Sequence, residues 1–161
     1  MSSNFDHKRE RRLVLLTAPS LPDAVNSLHS MDNHFVAMLV CDAGMADVTE
    51  IAALARHLID AGCSYFCCWG KDCERVHDIF DEECVGEGLF DDSDDTIMTT
   101  WHSSDTLEEF ITFCLRDTVP TGSFQATTKT TVAIVIDDQN SALSIQHAFD
   151  DPAKFLAGLI N

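Results

Sequence analysis

Five short runs dense in apolar and β-branched residues, Arg12–Thr17, Phe35–Asp42, Ser64–Trp69, Thr96–Trp101 and Thr131–Ile136, alternate with stretches whose apolar residues recur every three or four positions. A parallel strand pair needs a crossover of a dozen or more residues, and an amphipathic helix supplies that crossover while covering the sheet. Several runs are nearly continuous in apolar or small residues, as strands covered on both faces should be. The predicted fold is therefore three-layer α/β, with a mainly parallel sheet of about five strands. It is Rossmann-like in this alternation but has no dinucleotide fingerprint, because Asp42-Ala43-Gly44-Met45-Ala46-Asp47 fits neither GxGxxG nor a P-loop.

Helix boundaries are marked by capping residues. Asp47-Val48-Thr49-Glu50 resembles a capping box, and the apolar stripe Val48, Ile51, Ala52, Ala55, Leu58 and Ile59 stops before Gly62. Asp72 is placed to cap a second helix carrying Val76, Ile79, Phe80 and Cys84. Asp105-Thr106-Leu107-Glu108 resembles another box, ahead of Phe110, Ile111, Cys114 and Leu115. Asp151-Pro152 opens a last helix with a cap followed by proline at its first position. Shorter helices are expected near residues 22–29 and 141–149. The segments 86–95 and 118–129 read as long connections of the kind that carry function.

A chain of 161 residues that is 45% hydrophobic suits one domain. The expected organisation is a mobile basic tail at 1–11 and a single domain at 12–161. Too few apolar residues precede Pro19 for a signal peptide, and no run is long enough to cross a membrane. Seven cysteines without a recurring spacing fit free thiols in a reducing compartment, so a cytoplasmic location is expected. The chain has 27 acidic and 10 basic residues, a formal charge of −17. Four of the basic side chains are Lys8, Arg9, Arg11 and Arg12, leaving residues 13–161 with 25 acidic against 6 basic groups. Direct nucleic-acid binding is disfavoured, and the acidic surface serves solubility first and a basic protein partner second.

In a parallel sheet all strands end on one edge, so segments distant in sequence can share one crevice. Trp69, Asp72, Cys73, Trp101 and His102 are expected there. Cys73 falls in the first turn of its helix, where backbone N–H groups favour a thiolate. Lys71 assists and Asp72 and Glu74 oppose. His102 is the candidate base for it, with Asp72 or Asp42 as an orienting or metal-binding carboxylate. Trp69 and Trp101 suit a pocket wall or a partner hot spot. The acids Asp91, Asp92, Asp94 and Asp95 suit binding by charge, but they fail as a calcium loop, since the sixth position is Thr96 instead of glycine. Cys67 and Cys68 are adjacent strand residues facing opposite ways, which argues against a shared zinc ion. No metal or cofactor is expected.

The strings Trp69-Gly70-Lys71-Asp72-Cys73 and Met98-Thr99-Thr100-Trp101-His102, followed by Leu107-Glu108-Glu109, resemble an uncharacterised bacterial family known as a domain of unknown function. The resemblance spans about residues 35–137, with Cys68 in place of an alanine and a different segment at Glu74–His77. It implies a shared site at the two strand exits and brings no activity with it. Two functions remain in view. The first is a small acidic binding or regulatory protein, immunity-like in kind, that engages a basic protein. The alternative is an enzyme acting on a small molecule through a Cys73–His102 pair.

Overall fold

The computed structural model describes residues 3–6, 11–86 and 95–159. In chain order the elements are β1 (Ser3–Asp6), β2 (Arg11–Ala18), α1 (Leu21–Ser27), β3 (His34–Val40), α2 (Val48–Ala61), β4 (Cys63–Trp69), α3 (Cys73–Gly86), β5 (Met98–His102), α4 (Leu107–Arg116), α5 (Phe124–Thr127), β6 (Thr128–Ile136), α6 (Gln139–Asp150) and α7 (Pro152–Gly158). The sheet order is β1-β2-β6-β3-β4-β5, with β1 antiparallel to β2 and the other five strands parallel. The three-layer α/β architecture expected from the alternation is present. Two elements had no signal in the sequence, the edge strand β1 and the single turn α5.

Strand alternation divides the core into two layers. On β3, Phe35, Ala37 and Leu39 face the cluster made with α1, α2 and α3, while Val36, Met38 and Val40 face the cluster made with α4 and α6. Phe66 and Cys68 of β4 join the first layer, and Tyr65 and Cys67 the second. Both faces of β3, β4 and β6 are covered, which explains their unbroken apolar runs. β6, the last strand in the chain, inserts between β2 and β3, so the strand order departs from that of dinucleotide-binding folds.

Local signals act as expected with two shifts. The side chains of Asp47, Asp138 and Asp151 cap α2, α6 and α7. At α4 the capping box is Thr106 with Glu109, one residue later than the Asp105-to-Glu108 reading, which frees Asp105 for another partner. Arg11, counted with the basic terminal residues in the sequence, is 5% exposed. Its guanidinium donates to the Thr118 hydroxyl and carbonyl, tying the start of β2 to the exit of α4. No helix among the described residues is long and apolar enough to cross a membrane.

Candidate functional site

The loops leaving β3 and β4 are joined by an extension of the strand ladder. The Cys41 N–H donates to the Trp69 carbonyl at 3.1 Å and the Ala43 N–H to the Lys71 carbonyl at 2.9 Å. Gly70 permits this approach. Its φ is +121°, and a Cβ there would stand 2.2 Å from the Cys41 carbonyl oxygen. Asp72 also has left-handed backbone, at φ +62°. Its carboxylate receives the Arg75 Nε–H at 2.7 Å, and Arg75 reaches on to the Ala43 and Ala46 carbonyls. Asp42 accepts the Gly44 N–H at 3.0 Å, with the Lys71 stem packed alongside Gly44. Asp42 and Asp72 thus build the two loops, and Asp72 pairs with Arg75 where the sequence suggested a helix cap.

This loop returns the chain so that Cys73, the first residue of α3, meets Cys68 near the end of β4. The Cys68 thiol lies 3.1 Å from the Cys73 carbonyl and also hydrogen-bonds the Cys73 sulfur. That thiol bond is the largest influence holding the Cys73 pKa down to about 6, followed by the opposing effect of burial. The backbone N–H groups of His102, Cys73 and Gly70 add to the lowering. Cys68 is pushed the other way, upward, by the same bond and by burial. The helix N-terminus was legible in the sequence, whereas the partner thiol was not.

A thiol with pKa near 9 when unfolded and about 6 when folded contributes stability that is present above pH 9 and lost as pH falls through 6. Cys68, raised in the fold, costs stability only above pH 9. The stability advantage of the wild type over Cys73→Ser is therefore expected to grow between pH 6 and pH 9. Urea denaturation at each pH measures it, and a flat difference would show that Cys73 stays protonated.

His102 contributes its backbone to Cys73, while its imidazole serves the other face. Trp69 pairs with His102 in the β4–β5 register, so both side chains point toward α4. His102 Nδ1 is 2.6 Å from Asp105 Oδ2, and Nε2 is 3.0 Å from the Thr100 hydroxyl. The ring packs against Phe110 and Phe113 at centroid distances of 5.0 and 4.6 Å. Cys73 belongs to the α3-side core. The expected Cys73–His102 base pair is therefore not formed, because the sheet separates imidazole from sulfur. The Trp69 indole N–H donates to the Asp105 carbonyl at 2.8 Å, which fastens the same turn.

The opposite side of β5 carries Trp101, which is 44% exposed and packs over His77 with ring centroids 4.5 Å apart. His77 Nε2 is 3.0 Å from the Thr99 hydroxyl, which donates to Asp81 at 2.8 Å. Asp105, Arg75, Thr99 and Thr100 were not singled out from the sequence. The capping-box spacing at Thr106 and Glu109 was the one available signal, since it leaves Asp105 uncommitted. Asp95 bonds the Ser123 N–H and hydroxyl, both at 2.7 Å, which lowers its pKa. Asp91, Asp92 and Asp94 lie outside the described residues.

The arrangement defines a three-layer α/β domain whose strand exits bring two cysteines together on one face of the sheet and a hydrogen-bonded histidine to the other. Comparison with protein families agrees with the expectation of an uncharacterised domain family. The chain belongs to the family described as a domain of unknown function, DUF7684, which matches residues 12–152. The match runs from β2 through α6, beyond the span 35–137 expected from the two motifs. No curated protein matches the chain.

Proposed function

We propose that this domain is an acidic binding module, regulatory or immunity-like in kind, that engages a basic protein along the β5 edge. The observation that carries the reading is Trp101, a large aromatic 44% exposed on the last strand of the sheet. Met98, on the same strand, is 37% exposed. Among the described residues no strand pairs with the outer side of β5; such an edge offers backbone groups to an added segment, and an exposed tryptophan is the side chain most often found to anchor a partner. Acids border this edge on both sides. Glu74, Asp78, Asp81, Glu82 and Glu83 lie on α3, and Asp105, Glu108 and Glu109 lie in and before α4. Such a field draws in basic partners and repels nucleic acid. The seven free cysteines fit a cytoplasmic setting.

Photo-crosslinking from Met98 tests the proposal in cells. The expected crosslinked partners are basic proteins, with a yield that falls about thirtyfold on Trp101→Ala, in keeping with a hot spot worth about 2 kcal/mol. Raising the salt before irradiating an extract should weaken capture as well. A crosslinker at Leu143, exposed on α6, provides the comparison surface. Equal yields at the two positions, or a yield from Met98 indifferent to Trp101→Ala, would sink the idea.

A further inference from the structure

Away from the tryptophan-bearing exits, the carboxyl edge of the sheet opens between β2 and β6. These parallel neighbours end together, Ala18 beside Ile136, and the Asp137 N–H donates to the Ala18 carbonyl at 2.9 Å. From there the two exits diverge. β2 runs on into α1, whose Leu21 and Ala24 enter the first core layer, while β6 runs on into α6, whose Ala142 and Ile145 enter the second. Neighbouring strands whose connections leave to opposite sides of a sheet open a crevice at their carboxyl ends, the place where open α/β sheets bind small ligands. Here the crevice is a cavity of about 240 Å³, lined by Thr17 and Pro19 from one exit and by Val135, Asp137, Gln139 and Ala142 from the other.

The polar groups of this cavity are uncommitted. Elsewhere on the same edge the carboxylates hold their own loops: Asp42 accepts the Gly44 N–H, Asp72 pairs with Arg75, and Asp138 caps α6 through the Ser141 N–H and hydroxyl. The Asp137 carboxylate accepts no hydrogen bond among the described residues, and the Thr17 hydroxyl and Gln139 amide make none there either. A carboxylate, a hydroxyl oxygen and an amide carbonyl thus line one cavity as acceptors, and a primary ammonium carries three donors and no acceptor. An anion is disfavoured, because the positive start of α6 is already met by the Asp138 cap and the Asp137 charge stands beside it. Among the described residues no three histidine, cysteine or carboxylate side chains group to hold a metal ion.

We propose that this cavity binds a small primary amine. The ammonium is held by Asp137, Thr17 and Gln139, and the carbon body rests on Pro19, Val135 and Ala142. The volume lies below the range of about 300–1,000 Å³ for drug-sized ligands, so the body is limited to a single ring or a short alkyl chain. Asp137 has left-handed backbone, at φ +48°, a conformation that asparagine also adopts. Asp137→Asn therefore removes the charge and keeps the turn.

The test titrates the isotope-labelled full chain at neutral pH with benzylamine, benzyl alcohol and benzoate, following amide shifts by NMR. The three probes share one ring and nearly one size, and differ in charge. Benzylamine is expected to give saturable shifts centred on Thr17, Ala18, Asp137 and Gln139, and to bind about tenfold more tightly than either analogue. Asp137→Asn should weaken benzylamine about tenfold and leave Tm unchanged. Asp60→Asn removes the same charge from an exposed position on α2 and should leave binding as it was. Equal losses from the two variants would mean diffuse attraction to an acidic surface and would overturn the proposal. Benzoate binding as tightly as benzylamine, or shifts that fail to saturate or centre elsewhere, would overturn it too. If Asp137→Asn fails to fold, the ranking of the three probes on the wild type and the map of shifted amides decide the matter.

Discussion

Replacing Gly70 by alanine is expected to destabilise the fold by about 3–5 kcal/mol, a large loss for the addition of one methyl group. Two effects add. At φ +121° an L side chain is strained wherever there is space, and here there is none, since the new Cβ would stand 2.2 Å from the Cys41 carbonyl oxygen. A backbone atom cannot rotate away as a flexible side chain can, so β3 and β4 must part at their exits. That parting breaks the Cys41–Trp69 and Ala43–Lys71 hydrogen bonds and displaces the loop that delivers Cys73. For a domain of this size the loss corresponds to a fall of roughly 10 °C in Tm. Calorimetry measures it, and a change under about 2 °C would contradict the tight contact.

Phe80→Ala is expected to cost about 3–5 kcal/mol by a different route, loss of buried area together with a cavity. Phe80 is 1% exposed and stacks on Phe66 at a centroid distance of 4.1 Å with planes 3° apart. Both rings border a small void of about 10 Å³ shared with Leu39, Leu54, Leu58 and Val76. Space is already imperfectly filled there, and the residues around it come from strands and helices that cannot collapse independently. The stack also seats α3 on β4, so the loss should extend to the position of His77 beneath Trp101. Guanidinium denaturation of Phe80→Ala beside Leu143→Ala separates the mechanisms. Leu143 is 59% exposed, and its truncation should stay within about 0.5 kcal/mol. Similar losses for both would argue against a well-packed α3 layer.

Periodicity made most elements legible before their packing was known. Each of the five anticipated strands has a counterpart, and α2, α3, α4 and α7 begin within two residues of the expected starts. These features depend on neighbours within one turn or one strand, where side-chain spacing carries the information. The strand β1 escaped notice because pairing with β2, a tertiary contact, makes Ser3–Asp6 a strand. At α4 the choice between Asp105 and Thr106 as cap turned on one hydrogen bond to Glu109, and two adjacent residues with suitable oxygens look alike in sequence.

The adjacency of the two strand exits was legible in the sequence. Both tryptophan-bearing exits lie side by side, Trp69 beside His102 and Cys68 beside Trp101. Their chemistry was read differently because a sheet has two faces. The sequence shows that Cys67 and Cys68 point opposite ways, for alternation is a property of one strand alone. Whether Cys73 meets the imidazole of His102 depends on the β4–β5 register, and a slip of one residue would turn every β5 side chain to the other face. The sequence by itself determined the α/β alternation, the acidic character and the edge on which the strand exits gather. Only the tertiary structure decided that β6 enters between β2 and β3, that Cys68 is the partner of Cys73, and that His102 turns toward Asp105. Those outcomes depend on contacts between segments whose order across the sheet no local pattern records.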